Sequence, residues 1–341
     1  MGRRVFDKAT TPVILKIDQP PCILHMIRIR KSIRLKVIVM FLLVGVLPMV
    51  GSSLYLYQNS QEALENDAFN ILGRLVDQSN RAVEDTFQEA GQVLLLTSHN
   101  PAFVRYFNEP EKRQEWLNEI QKALGEIQGL FQGSLREACL IRKDGKELGK
   151  VVNAQIFPAP DLDADESDQI FFKAGLAGNR GEVYQGEPYF SEDAREWVIP
   201  FATPIVLPDG KKVALLHLEL SLSYLKDILS ERQRGWMGIG DLFIVDDQGR
   251  FLTHTDPRIQ TLGKLNLPNA LDANSSPGWR RMIQEMVDGK IGFQKEVIKN
   301  RLSYVHYQPT MTSETSNIFW STGTVVPVDR VQASADSSDY L

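Results

Sequence analysis

Five histidines, two cysteines and one dense acidic run are the side chains here best suited to catalysis or metal binding. His25, His99, His217, His254 and His306 are scattered, and only His254 stands near a carboxylate, in the segment THTDP with Asp256. An imidazole and a carboxylate two residues apart could share a metal ion only if distant ligands joined them, and a loop role accounts for both without one. The acidic run DLDADESD at 161–168 lacks the glycine and closing glutamate that a calcium-binding EF-hand loop requires, so it reads as a solvated loop. No phosphate-cradling Walker sequence, dinucleotide glycine fingerprint or G-x-S-x-G elbow occurs. The residue types therefore predict neither an enzyme nor a bound cofactor or metal. Cys22 and Cys139 fall in separate parts of the chain, which leaves Cys139 as a core residue without a disulfide partner.

The 341 residues carry a net charge of -5, which argues against a nucleic-acid partner held by phosphate contacts. That average hides a split. Residues 1–36 hold nine Lys/Arg against two Asp, so this leader is +7 while the remainder is -12. At the boundary, residues 37–57 run VIVMFLLVGVLPMVGSSLYLY, a stretch without one charged side chain. At about 1.5 Å per residue this spans a hydrocarbon layer about 30 Å thick, so one transmembrane helix is expected, bent at Pro48. The basic flank before it and Glu62, Glu65 and Asp67 after it place the N-terminus in the cytoplasm and the main body outside. A compact basic flank already begins at Met26, which makes residues 1–25 an expected upstream extension of low order.

Beyond the anchor, Phe69, Leu72, Val76, Val83, Phe87, Ala90 and Leu94 recur at helical spacing and predict a helix of about 40 residues. Its stripe is interrupted by Ser79, and it suits either a homodimer seam or packing on its own domain. Asn100-Pro101 ends it, and a second helical region is expected over 102–128. From residue 133 the period changes. A hairpin is expected around Asp144-Gly145, a short helix in DQIFFKAGLAG, then strands in EVYQGEPYF, REWVIPFATPIV and KKVALLHLEL. A connecting helix at 221–232 leads to a second hairpin in LFIVDDQGRFLT, a helix near 276–288, and strands in IGFQKEVI, RLSYVHY and FWSTGTVVP. This is an α+β chain with two antiparallel sheets, each begun by a strand and an Asp- and Gly-containing turn.

The order of these segments resembles the double Cache family of extracytoplasmic sensor modules found in bacterial chemoreceptors and sensor histidine kinases. Ser167, Phe171, Phe172 and Lys173, the stretches VYQGEPYF and VIPFATPI, and LFIVDDQGRFLTHTDP carry the likeness, in order, and it covers most of 56–328. The resemblance implies a cytoplasmic leader at 1–36, an anchor at 37–57, a helical region at 58–132, a membrane-distal PAS-like subdomain at 133–232, a membrane-proximal one at 233–328 and a tail at 329–341. It further implies a single-pass protein of the bacterial inner membrane.

It also implies a small organic metabolite bound in the distal subdomain, by aromatic enclosure and a few polar contacts. The candidates are Gln169, Phe171, Phe172, Tyr184, Tyr189, Asp193, Trp197 and Glu219. Phe171, Phe172 and Trp197 serve equally as core residues, whereas Tyr184 and Tyr189 combine a ring with a polar handle. One departure stands out. Where the amino-acid-binding pattern of the family resembles Arg, one residue, then Trp-Tyr or Trp-Phe, this chain has Gln169-Ile170-Phe171-Phe172, and neutral Gln cannot clamp a ligand carboxylate as a guanidinium does. An amino-acid ligand is therefore not expected. Since no output module is recognisable after Val328, the expectation is a sensing or binding subunit that passes its signal to a separate signalling protein. The alternative is a structural or assembly subunit of an envelope complex.

Overall fold

A computed structural model describes residues 33–331, apart from 132, 158–161, 163–164, 236–239, 260–265, 273–274 and 312–317. The leader up to residue 32, with Cys22, three of the eight residues of the acidic run and the tail from 332 lie outside the described residues. The chain divides into two compact units, residues 1–61 and 62–341.

In the first unit, α1 (Ile33–Phe41) leads through one π-helical turn at Leu42–Val46 into α2 (Leu47–Ser98). The stretch is apolar and long enough to cross a membrane, and every residue from Ile33 to Ser60 is exposed. A helix apolar all round and packed on nothing is what a lipid environment selects. Where a bend was expected at Pro48, the helix carries a wide turn just before the proline, which accommodates the backbone hydrogen bond that Pro48 cannot donate.

In the second unit, α2 buries Ala68, Leu72, Leu75, Val76, Ser79, Asn80, Val83, Phe87, Ala90 and Leu94 on one face. The apolar stripe is thus occupied within the chain, and Ser79 continues it, its hydroxyl donating to the Leu75 carbonyl at 2.7 Å. After Asn100, whose side chain accepts from the Ala102 amide at 3.0 Å, come α3 (Pro101–Asn108) and α4 (Arg113–Leu130). The region expected as one helix is split by a 3-10 turn at Pro110–Lys112, since Pro110 disfavours helical backbone at the residue before it.

The first sheet comprises β1 (Leu135–Arg142), β2 (Glu147–Val152) and β3 (Gln155–Phe157), then β4 (Tyr184–Gln185), β5 (Tyr189–Ser191), β6 (Glu196–Val206) and β7 (Lys212–Ser221). Its order is β3-β2-β1-β7-β6-β4, and β5 also pairs with β6. The run EVYQGEPYF makes two short strands, because Gly186 meets Pro200 so closely that a Cβ would lie 2.7 Å from its ring. α5 (Ile170–Ala177) packs on β6 and β7. Side chains alternate across a strand: Ala138, Leu140, Leu216, Leu218 and Phe201 join the core shared with α2, α3 and α4, while Cys139, Ile141, Leu215 and Ala202 join Phe171 and Phe172 of α5.

α6 (Leu222–Gly235) connects to the second sheet, made of β8 (Asp241–Asp246), β9 (Phe251–His254), β10 (Gly292–Ile298), β11 (Arg301–Met311) and β12 (Phe319–Pro327), with α7 (Pro277–Val287) before β10. Its order is β10-β11-β12-β8-β9. Phe87 of α2 touches both sheets, with ring centroids 5.9 Å from Phe201 and 5.4 Å from Trp320. Beside it, the Asn80 amide donates to the Pro309 carbonyl at 3.1 Å and accepts from Thr310 at 2.7 Å, and Thr310 in turn meets Thr322 at 2.8 Å.

Candidate functional site

The face of the first sheet beneath α5 carries charge where its neighbours are apolar. Glu137 lies on β1, Lys150 and Glu147 on β2, and His217 and Glu219 on β7. Register brings them together: Glu137 pairs directly with Glu219, Cys139 with His217, and Lys150 with Cys139 from the other side. Glu137, His217 and Glu219 are each less than 5% exposed. Directly opposed like charges destabilise a strand pair, so this arrangement is retained against its local cost.

Lys150 gathers the surrounding acids. Its ammonium donates to Glu147 at 2.8 Å and to Asp193, and lies 3.9 Å from Glu137. Burial opposes its charge, but Glu137, Asp193 and Glu147 outweigh burial and hold its pKa above the usual value. Burial, then the repulsion of Glu219, pushes Glu137 well up. Burial also lifts Glu219 to about 7, while hydrogen bonds from Tyr189 and Ser191 pull the other way. His217 is driven down to about 3 by burial and then by Lys150, so its ring is neutral.

The rings above this floor are ordered. Phe171 lies flat on His217, centroids 3.9 Å apart at 5°, and stacks against Tyr189 at 5.8 Å and 17°. The Tyr189 hydroxyl donates to Glu219 Oε1. α5 reaches this depth because Gly175 has no side chain; a Cβ there would stand 2.8 Å from both Ala202 and Leu215. The site is also under-satisfied. Both ring nitrogens of His217, Oε2 of Glu219 and Oε2 of Glu147 are buried without a hydrogen-bond partner among the described residues, each at a desolvation cost of about 1–3 kcal/mol.

Of the eight residues expected to meet a ligand, Phe171, Phe172, Tyr184, Tyr189 and Glu219 converge here, and Asp193 reaches it from the β5–β6 turn through Lys150. Gln169 stands exposed at the N-cap position of α5, and its side chain makes no capping hydrogen bond. Trp197 belongs to the opposite face: it packs in the helix-covered core, edge-on to Phe190 at 6.3 Å, because the next residue, Val198, pairs with Tyr189 and takes the pocket side. Sequence reasoning missed Glu137, Glu147, Lys150 and His217. The signal was present, as Glu137 and Cys139, or His217 and Glu219, occur two apart in otherwise apolar strands and so share a face.

This two-sheet plan, with a long leading helix and a charged cluster beneath α5, has known counterparts. The sequence model of the Cache domain family matches residues 58–335. The chain belongs to the Cache domain family. Its structure is similar to the ligand-binding domain of the Campylobacter jejuni chemoreceptor Tlp3 in complex with L-valine, at 13% identity and a TM-score of 0.60 over 80% of this chain and 97% of that one. The extracellular domain of the putative histidine kinase vpHK1S-Z8 is similar at 14% identity and 0.61, covering 82% and 96%. The ligand-binding domain of the Pseudomonas aeruginosa PAO1 amino acid chemoreceptor PctB, in complex with L-Gln, is similar at 20% identity and 0.51, covering 80% and 96%. No curated protein sequence matches. Membership identifies residues 58–335 as an extracytoplasmic sensor module of a non-catalytic, ligand-binding kind.

The Cache chain also holds a cavity of about 500 Å³ against the second sheet, lined by Asp241, His254, Arg258, Lys299 and Arg301 among others. There the His254–Asp256 pair is used internally: His254 Nδ1 accepts from the Asp256 amide at 2.9 Å, and Arg258 binds the Asp256 carboxylate at 2.9 and 2.8 Å. The carboxyl is held below the usual range chiefly by Arg258.

Proposed function

We propose that this Cache protein is a membrane-anchored sensing subunit whose first-sheet pocket binds a small organic molecule, with residues 1–36 cytoplasmic and residues 62–341 outside. The orientation is supported by the nine basic residues ahead of the apolar segment. The pocket reading rests on one observation: buried polar atoms without partners, beneath aromatic rings that are already stacked in place. A fold that leaves such groups unsatisfied beneath a preformed aromatic wall is organised for an occupant. The neighbouring amino-acid receptors do not fix the ligand class, because the position expected to hold a carboxylate-clamping Arg is Gln169. The unpartnered Oε2 atoms of Glu219 and Glu147 can only accept when ionised, which favours a ligand rich in hydrogen-bond donors over one led by a carboxylate.

A thermal-shift screen of the full chain in detergent tests this. A ligand present at about 100 times its Kd stabilises the folded state by about 2.7 kcal/mol. The expected result is a shift by donor-rich compounds, absent with L-valine and L-glutamine and lost in Phe171→Ala and Tyr189→Ala. A panel that shifts nothing, or a shift that survives both substitutions, overturns the proposal.

A further inference from the structure

The floor of the same pocket carries a second kind of chemistry. Among the described residues, one ligand atom each from Glu137, His217 and Glu219 lies within 4.8 Å of the other two. We propose that these three side chains hold a divalent transition-metal ion of the zinc class.

Four features of the fold support it. First, the donor set is right: neutral imidazole with two carboxylates suits zinc, and magnesium and calcium prefer oxygen ligands alone. Second, both His217 nitrogens and Glu219 Oε2 have no hydrogen-bond partner among the described residues, and Glu137 Oε2 stands 3.9 Å from the Lys150 ammonium. Third, the outer contacts already aim them. Tyr189 occupies Glu219 Oε1 and leaves Oε2 buried and without a partner among the described residues, and Phe171, flat against His217, fixes the plane of the imidazole. Such outer contacts set ligand orientation at metal sites. Fourth, the charge closes. A dication neutralises two carboxylates that register places directly opposite one another, while the Lys150 ammonium, 3.9 Å from Glu137, is bonded to Glu147 and Asp193. Three protein ligands leave a fourth position for water or for a donor atom of an organic ligand. The inference goes beyond the organic-ligand reading and stands if that reading fails, because it needs only these side chains.

The test uses tag-free full-length chain in detergent, stripped with chelator and dialysed against zinc chloride with magnesium in excess. One zinc per chain is expected for the wild type. Glu219→Gln and His217→Gln, each close in size to the original, are expected to lose that ion, with affinity falling about 100-fold or more. Tyr189→Phe keeps all three ligands but frees Glu219 to turn, and is expected to weaken zinc about 10- to 100-fold. Cobalt in place of zinc is expected to give the visible absorption of a four-coordinate site, absent in both ligand variants. Circular dichroism checks folding; should His217→Gln unfold, Glu219→Gln, which removes a buried charge, carries the test. Wild type binding no more zinc than Glu219→Gln, or a cobalt spectrum unchanged by that substitution, overturns the assignment.

Discussion

Replacing Glu219 with Gln isolates the energetics of the buried carboxylate pair. The side chain keeps its size and an oxygen for Tyr189, but one ionisable group is gone. Burial raises the Glu219 carboxyl from its ordinary 4.5 to about 7, so between those values the folded chain holds a proton the unfolded chain has released. The native state then binds more protons, and stability falls as pH rises through this window. A shift of this size corresponds to about 3 kcal/mol, an upper figure because Glu137 shares the proton load. His217 runs the other way: its folded value of about 3 makes its contribution complete above about pH 6.5 and lost as pH falls. Comparing variant with wild type cancels that effect to first order. Urea unfolding with chelator present, at pH 5 and pH 8, reads the difference. Glu219→Gln is expected to gain about 2–3 kcal/mol on the wild type between the two conditions. A gap that stays flat with pH, or moves in favour of the wild type, refutes the protonation argument.

Lys150→Met strands the carboxylates of Glu137, Glu147 and Asp193 and should cost about 3–5 kcal/mol at pH 8, visible as an earlier denaturation midpoint, with a smaller loss at pH 5, because burial pushes the Glu137 carboxyl well up. Gly175→Ala forces a methyl group to 2.8 Å from Ala202 and Leu215 and should destabilise by about 1–3 kcal/mol; an unchanged midpoint would mean that α5 does not sit this close to the sheet. Asn80→Leu leaves Thr310 and the Pro309 carbonyl without their shared partner and should cost about 1–3 kcal/mol. Adding Thr310→Val should recover part of that loss, and a double variant as unstable as the sum would speak against the hydrogen-bonded link.

Most elements of the fold were legible because their periods were clean. The stripe from Leu72 to Leu94 and the alternation in KKVALLHLELS each specify which face is buried. Boundaries set by single residues were harder: Pro110 divides α3 from α4, and Gly186 splits one expected strand into two. The aromatic half of the pocket was readable from Phe171 and Tyr189, since rings near a family-like helix announce themselves. The charged half was not, because Glu137 and Glu219 stand on strands at opposite ends of the first subdomain's sequence and meet only through strand register. Trp197 shows the same limit from the other side: a large ring in the expected strand lies one position away from the pocket face.

The hydrogen-bonded chain from Asn80 through Thr310 to Thr322 bears on how α2 can move. It is buried between the helix and the sheet, and sliding the helix by even one residue, a rise of about 1.5 Å, would break it and bury unmatched polar groups. A gradual piston stroke of α2 along the second sheet therefore meets resistance from its very start. The helix and that sheet are coupled at this point, so a displacement of α2 along the sheet proceeds as a discrete break of the link and not as a continuous slide.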